Sequence, residues 1–240
     1  MLSRSLTAKY STLTGNKALG AGGLTGVGLA GAAYSFEVFV RGCTLDHNQA
    51  DVVAALYVGY ADSSSYGTIL QSTISSNTSN LAFGAVLAKA TLGVANSTIA
   101  FNTSGSIGGP ALGISSGVSA TVDSTIVADN SPLDLDGGGA IGGANNLIKL
   151  PGTNVTLPFG TFTLDPQLGP LQLNGGHTRT HALTPGSPAI DQGADDAKLA
   201  TDQRGPTYRR VVGGKADIGA YELDADHVFG DGFDPGPPLS

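Results

Sequence analysis

The chain has 240 residues, of which 36 are glycine and only 13% are charged, with a formal net charge of -7. So few charges leave little material for solvated helix faces, and the acidic balance excludes nucleic acid, whose phosphates require a basic stripe. One cysteine, Cys43, excludes an internal disulfide.

In chain order, the first element is a phrase that returns. It reads STLTGNKA from Ser11, CTLDHNQA from Cys43, STISSNTS from Ser72, STIAFNTS from Ser97 and STIVADNS from Ser124, with starts 32, 29, 25 and 27 residues apart. That irregular period suits the coils of a β-solenoid with loops of varying length. Between the first two copies, the stretch Ala18 to Ala33 could pass for an export-signal core. Six glycines in sixteen residues weaken that reading, and no signal peptide is expected. Apolar, small-residue stretches from Val53, Phe83 and Gly108 recur between later copies, so each coil repeats more than one strand.

Alternation within the phrase sends successive side chains to opposite faces. Ser11, Cys43, Ser72, Ser97 and Ser124 should share an inward face with Leu13, Leu45, Ile74, Ile99 and Ile126. Thr12, Thr44, Thr73, Thr98 and Thr125 should then point to solvent. Stacking at about 4.8 Å per coil lines the aliphatics into a core column. The Asn at the sixth position (Asn16, Asn48, Asn77, Asn102) suits a corner, with its amide bonded to the next amide above and below. In the fifth copy Asp129 takes that position and Asn130 follows, so the ladder should end or shift there. The expected fold is all-β: a right-handed parallel β-helix with an irregular C-terminal capping segment.

These repeats, over residues 1–150, resemble bacterial right-handed parallel β-helix proteins of the pectate-lyase-like superfamily. The solenoid should end near GGANNLIKLPG, Gly142 to Gly152. Residues 151–223 form the second expected unit, and within them DPQLGPLQLNGGHTRTHALTPGSPAIDQG, DQRGPTY and DIGAYE resemble the choice-of-anchor Q domain. That likeness implies a secreted or cell-surface address, an attachment role and no known reaction. The tail, 224–240, carries VFGDGFD, similar to the ending of exported proteins of some Gram-negative bacteria, and is expected to be a flexible sorting signal. The chain starts just before a repeat already under way, which suggests the C-terminal part of a longer protein.

For chemistry, Lys89 is the sole Lys or Arg between Cys43 and Ile148, so a polyanion would find little to grip along the solenoid. The same span offers Asp46, Asp51, Asp62, Asp123, Asp129, Asp134 and Asp136, spread over several coils. Asp134 and Asp136 could hold calcium, but the glycine-aspartate nonapeptide of calcium-binding rolls is absent. His177, His181 and His227 lack partners at zinc spacing. Asp202 and Arg204, with Asp191 and Asp217 available, read as structural ion pairs rather than catalytic groups. No catalytic, cofactor or metal residue is assigned.

The expected function is a non-catalytic, adhesin-like surface or secreted module, monomeric, with surface glycans or cell-surface proteins as partners and no transmembrane span. The alternative is a polysaccharide lyase or glycoside hydrolase. A third reading, ice binding by the outward Thr array, lacks the second Thr column that such a face requires.

Overall fold

The structure is a computed structural model that describes residues 2–19, 33–59 and 65–224. Asp62, most of the glycine-rich stretch first considered as an export signal, and the tail with His227 lie outside the described residues. Every strand pairing in the solenoid is parallel, and the described residues contain no helix. The chain is an all-β parallel solenoid, as its repeats predict.

One column of the solenoid stacks Thr12–Thr14, Thr44–Asp46, Thr73–Ser75, Thr98–Ala100, Ile126–Ala128 and Leu147–Ile148. Its register pairs Leu13 with Leu45, Leu45 with Ile74, Ile74 with Ile99, Ile99 with Val127 and Val127 with Ile148. The fifth copy is therefore displaced by one residue from the expected alignment. Val127, not Ile126, occupies the inward column, Thr125 takes the place of the phrase's Ser, and Ile126 faces outward. The cause is the corner. Asn102 bonds to Asn130, 28 residues on, so the Asn position rather than the Ser-Thr pair sets the register. A sixth copy, Asn146-Leu147-Ile148, continues the stack.

The Asn ladder runs from Asn16 through Asn48, Asn77 and Asn102 to Asn130. At each step one Oδ1 accepts both the backbone N–H and the Nδ2 amide of the preceding coil, at 2.8–3.0 Å. The left-handed corner residue is not the Asn but the one before it: Gly15, His47, Ser76, Phe101 and Asp129 all have φ near 60°. The ladder ends on Asp134, whose Oδ1 accepts from Asn130 while Oδ2 accepts from Leu150 N–H. A carboxylate suits that position because it accepts on both oxygens and presents no donor needing a further partner.

Two further strand columns flank a second corner. One comprises Leu56–Val58, Val86–Ala88, Pro110–Ile114 and Leu133–Gly137; the other comprises Tyr66–Leu70, Thr91–Ala95, Ser119–Asp123 and Ala140–Gly142. The nine-residue strand Ala33–Arg41 belongs to both, pairing with Leu56–Val58 at its start and Tyr66–Leu70 at its end. Inside, Val38, Val40, Leu45, Leu56, Ile69, Ile74, Leu92, Ile99, Leu112 and Val127 form one continuous core. Full burial of each such side chain contributes about 1.5–3 kcal/mol.

The open end is covered by the start of the expected C-terminal unit, residues 151–162, with Val155 and Leu157 packed on the core and Phe162 bridged to Leu147. The rest of that unit, residues 165–223, lies along the side of the solenoid, over the outward face of the phrase strands. There Ile126, Ala128 and Leu147 pack against Leu183, Ala189 and Ile218 as a second core. The Thr column is consequently not a solvent face: Thr44, Thr73 and Thr98 are buried, and Thr12 alone of the aligned four is exposed.

Candidate functional site

The covering segment is fastened to successive coils. Thr44 Oγ1 donates to Arg179 O at 2.6 Å, Thr73 Oγ1 to Gln203 Oε1 at 2.6 Å, and Ala220 N–H to Thr98 Oγ1 at 3.1 Å. Gly219 N–H and Ala194 N–H donate to the O and Oγ of Ser124, both at 2.8 Å. Gly219 can come this close only because it lacks a side chain: a Cβ there would stand 2.8 Å from Ile126 Cδ1. The buried His181 Nε2 lies 2.8 Å from Ser75 Oγ, and its Nδ1 lies 2.7 Å from Gly169 O. The carbonyl can only accept, so Nδ1 carries the proton and Nε2 accepts from Ser75. Burial pushes the His181 pKa down.

Where this seam meets the first coils it leaves a cleft of about 550 Å³, lined by Tyr10, Arg41, Gly42, His177, Thr178, Ala200, Thr201, Gln203, Arg204, Gly205 and Pro206. Tyr10, Gly42 and Gln71 stand at the same corner of successive coils, each with positive φ. The Tyr10 ring packs against Gly42 by its Cδ1–Cε1 edge: a Cβ on Gly42 would be 2.5 Å from Tyr10 Cδ1. It remains 56% exposed. Arg41 closes the strand Ala33–Arg41, alternating outward after the buried Val38 and Val40.

The two guanidinium groups of the cleft differ sharply. Arg204 is buried, bonded to Asp202 Oδ2 through Nε at 2.9 Å and NH2 at 2.7 Å, and to Glu222 O at 2.6 Å. It is also sandwiched between Tyr208 and Tyr221, 3.9 Å from each ring centre. Arg41 has no ion-pair partner among the described residues, and its Nε is buried without a hydrogen bond. Among the described residues, no Asp or Glu lines the cleft.

Behind it lies a buried charged cluster. Glu222 accepts from Val212 N–H at 2.9 Å and Asp217 N–H at 2.8 Å, while Arg210, fully buried, donates to Gly219 O at 3.1 Å and also to Asp217 O. Burial raises the pKa of Glu222 to about 8 and pushes those of Asp202 and Asp217 up as well. The Asp202–Arg204 ion pair foreseen from sequence is present, and Asp217 Oδ1 accepts from the backbone N–H of Asp191 at 2.8 Å.

The carboxylates considered for chemistry are built into the scaffold. Asp46 is buried against His47 Nδ1 at 2.6 Å and Arg179 NH2 at 3.1 Å; Asp123 accepts from Ala144 N–H; Asp129 and Asp165 share Lys149. Asp51 accepts from Asn80, and Asp134 terminates the ladder while Asp136 accepts from Gly137 N–H. Asp134 and Asp136 belong to no group of three or more potential metal ligands among the described residues. Cys43 is a buried, free thiol whose pKa burial pushes up, and its N–H donates to Ser72 Oγ at 3.2 Å.

Sequence reasoning passed over Tyr10 and Arg41. The signal was available: the residue before each phrase marks the corner, and Tyr10 is the aromatic among Tyr10, Gly42, Gln71 and Asn96. No helix among the described residues is long and apolar enough to cross a membrane. No family model, curated protein or solved structure matches the chain.

Proposed function

We propose that this protein is a non-catalytic β-helical binding module of the adhesin-like kind, secreted or held at a cell surface, with surface glycans or cell-surface proteins as partners. The observation that carries the reading is the seam. Two stretches of unlike composition are locked together by side-chain bonds from Thr44 to Ser124, and the cleft between them keeps a cation, Arg41, that is unpaired among the described residues and stands beside an aromatic ring. Such a rigid, preorganised cleft favours holding a ligand, because little ordering is needed on binding. The pectate-lyase-like repeats and the likeness of residues 165–223 to the choice-of-anchor Q domain support an extracellular address and an attachment role for the C-terminal unit.

The test is adherence of the purified full chain to a glycan array and to intact cells, run beside cleavage assays on polygalacturonate, alginate and neutral plant glycans with and without calcium. Saturable adherence without cleavage is the expected result. Release of unsaturated or reducing ends, lost on replacing Asp123 or Asp129, would overturn the reading in favour of a polysaccharide lyase or hydrolase.

A further inference from the structure

We infer that the seam cleft is a binding site for a carboxylate-bearing sugar residue, with Arg41 as the anion contact and Tyr10 as the platform beneath the ring. The inference rests on the binding-module reading and narrows it to one site and one ligand class.

The charge argument comes from the contrast between the two guanidiniums. Arg204 is saturated by Asp202, Glu222 O and two tyrosine rings, so it shapes the wall and has nothing left to offer. The Arg41 guanidinium makes no hydrogen bond or ion pair with the described residues, although its Nε is already out of water. A buried donor without an acceptor is costly, because it has given up its hydrogen bond to water and gained none. Part of the desolvation cost of an ion pair at Arg41 has thus been incurred before any ligand arrives, and the half-buried group still reaches the cleft. A planar carboxylate matches a guanidinium through two parallel hydrogen bonds. One unpaired guanidinium suits one carboxylate, whereas phosphate sites gather several cations or a helix N-terminus.

The sugar argument comes from Tyr10. The Cδ1–Cε1 edge of its ring packs against Gly42, where any larger residue would collide with it, and the side chain is more than half exposed. A fixed aromatic face with a polar edge suits a ligand that is apolar on one side and hydroxylated at its rim. Thr201 and His177 supply that polar rim. The volume, about 550 Å³, lies within the range of about 300–1,000 Å³ usual for small-ligand sites. The chain's net charge of -7 disfavours an extended polyanion, so a single acidic residue within or at the end of a glycan is the fitting occupant.

The experiment is calorimetric titration of the full chain with three probes: an oligosaccharide ending in a hexuronate, one ending in a sialate, and a neutral galactose-ended counterpart. One or both acidic probes should bind, and at least tenfold more tightly than the neutral one. The two acidic arms identify which sugar acid the cleft prefers. Arg41→Gln should weaken acidic binding at least tenfold, Arg41→Lys should restore part of it, and Tyr10→Ala should weaken every probe that binds. Melting curves of the variants, compared with the native chain, show that folding is intact. The site is overturned if acidic and neutral probes bind equally, if Arg41→Gln binds as the native chain does, or if no probe binds. In those cases continued adherence of the Arg41→Gln chain to cells would leave the binding-module reading standing, whereas loss of all adherence together with substrate cleavage would remove that reading too.

Discussion

Thr73 and Gln203 are 130 residues apart in sequence and joined by a 2.6 Å hydrogen bond, both side chains buried. The Nε2 of the same Gln203 lies 3.0–3.2 Å from Cys43 O, Thr44 Oγ1, Thr178 Oγ1 and Arg179 O. One amide thus ties two coils to the Thr178-Arg179 stretch of the covering segment. Gln203→Met, of similar shape, leaves the buried Thr73 Oγ1 without its acceptor and should cost about 1–3 kcal/mol. A Gln203→Met, Thr73→Val cycle in urea should give a coupling of about 0.5–3 kcal/mol, while the exposed Thr12→Val stays within about 0.5 kcal/mol of the native chain. Additivity of the first pair would deny that the bond is formed.

Ile126 and Val127 are neighbours that serve different cores, one outward and one inward. Ile126→Ala should cost about 2–5 kcal/mol and loosen the covering segment first. Limited proteolysis should then cut within residues 165–223 while the solenoid survives. Val127→Ala should lower the protection of both parts together. Identical cleavage patterns for the two variants would contradict the displaced register.

In the corner ladder, Asn77 links Asn48 to Asn102 and also donates to Leu45 O at 3.0 Å. Asn77→Leu should cost about 1–3 kcal/mol for each donor it orphans, a loss that should be large enough to prevent folding at physiological temperature. Asp134→Asn is gentler. It sets an amide N–H against the Leu150 N–H, and a loss of about 1–3 kcal/mol is expected from chemical unfolding.

Two buried groups give stability opposing pH slopes. The folded pKa of His181 lies below its ordinary 6.5, so the unfolded chain binds more protons there and stability falls as the pH drops below about 6.5. Glu222 runs the other way. Its folded value of about 8 against an ordinary 4.5 means that the folded chain binds more protons between those limits, and stability is lost as pH rises through them. Melting temperature should therefore fall between about pH 6.5 and pH 8.5, where His181 no longer contributes. Glu222→Gln should flatten that fall, and His181→Gln should remove part of the decline on the acid side. A native chain with constant melting temperature across the alkaline interval would exclude a proton on Glu222.

The solenoid was legible because its signals are local and repeated: alternation places Leu45, Ile74 and Ile99 inside, and the Asn period places the corner. The displaced register was legible too, to a reader who aligned on Asn130 rather than on Ser124 and Thr125. What could not be read was the fate of the Thr face. An outward Thr is by default a solvated one, and its partners here are distant side chains and backbone donors, such as Gln203 and Ala220 N–H. The seam cleft depends on that packing, so Arg41 reads in sequence as an ordinary strand-end cation.

The covering segment touches the coils in a fixed succession: Arg179 at Thr44, His181 at Ser75, Ala220 at Thr98, and Gly219 at Ser124. In a simple stacked array a coil can be duplicated or lost with little penalty, since each unit sees only its neighbours. Here the second stretch of chain acts as a gauge laid against the first. Inserting or deleting one coil between Thr44 and Ser124 would shift the marks on one side by about 4.8 Å relative to the other and break every fastening beyond the change. The length of this part of the rod is thereby fixed, and growth by repetition is possible only where the gauge does not reach.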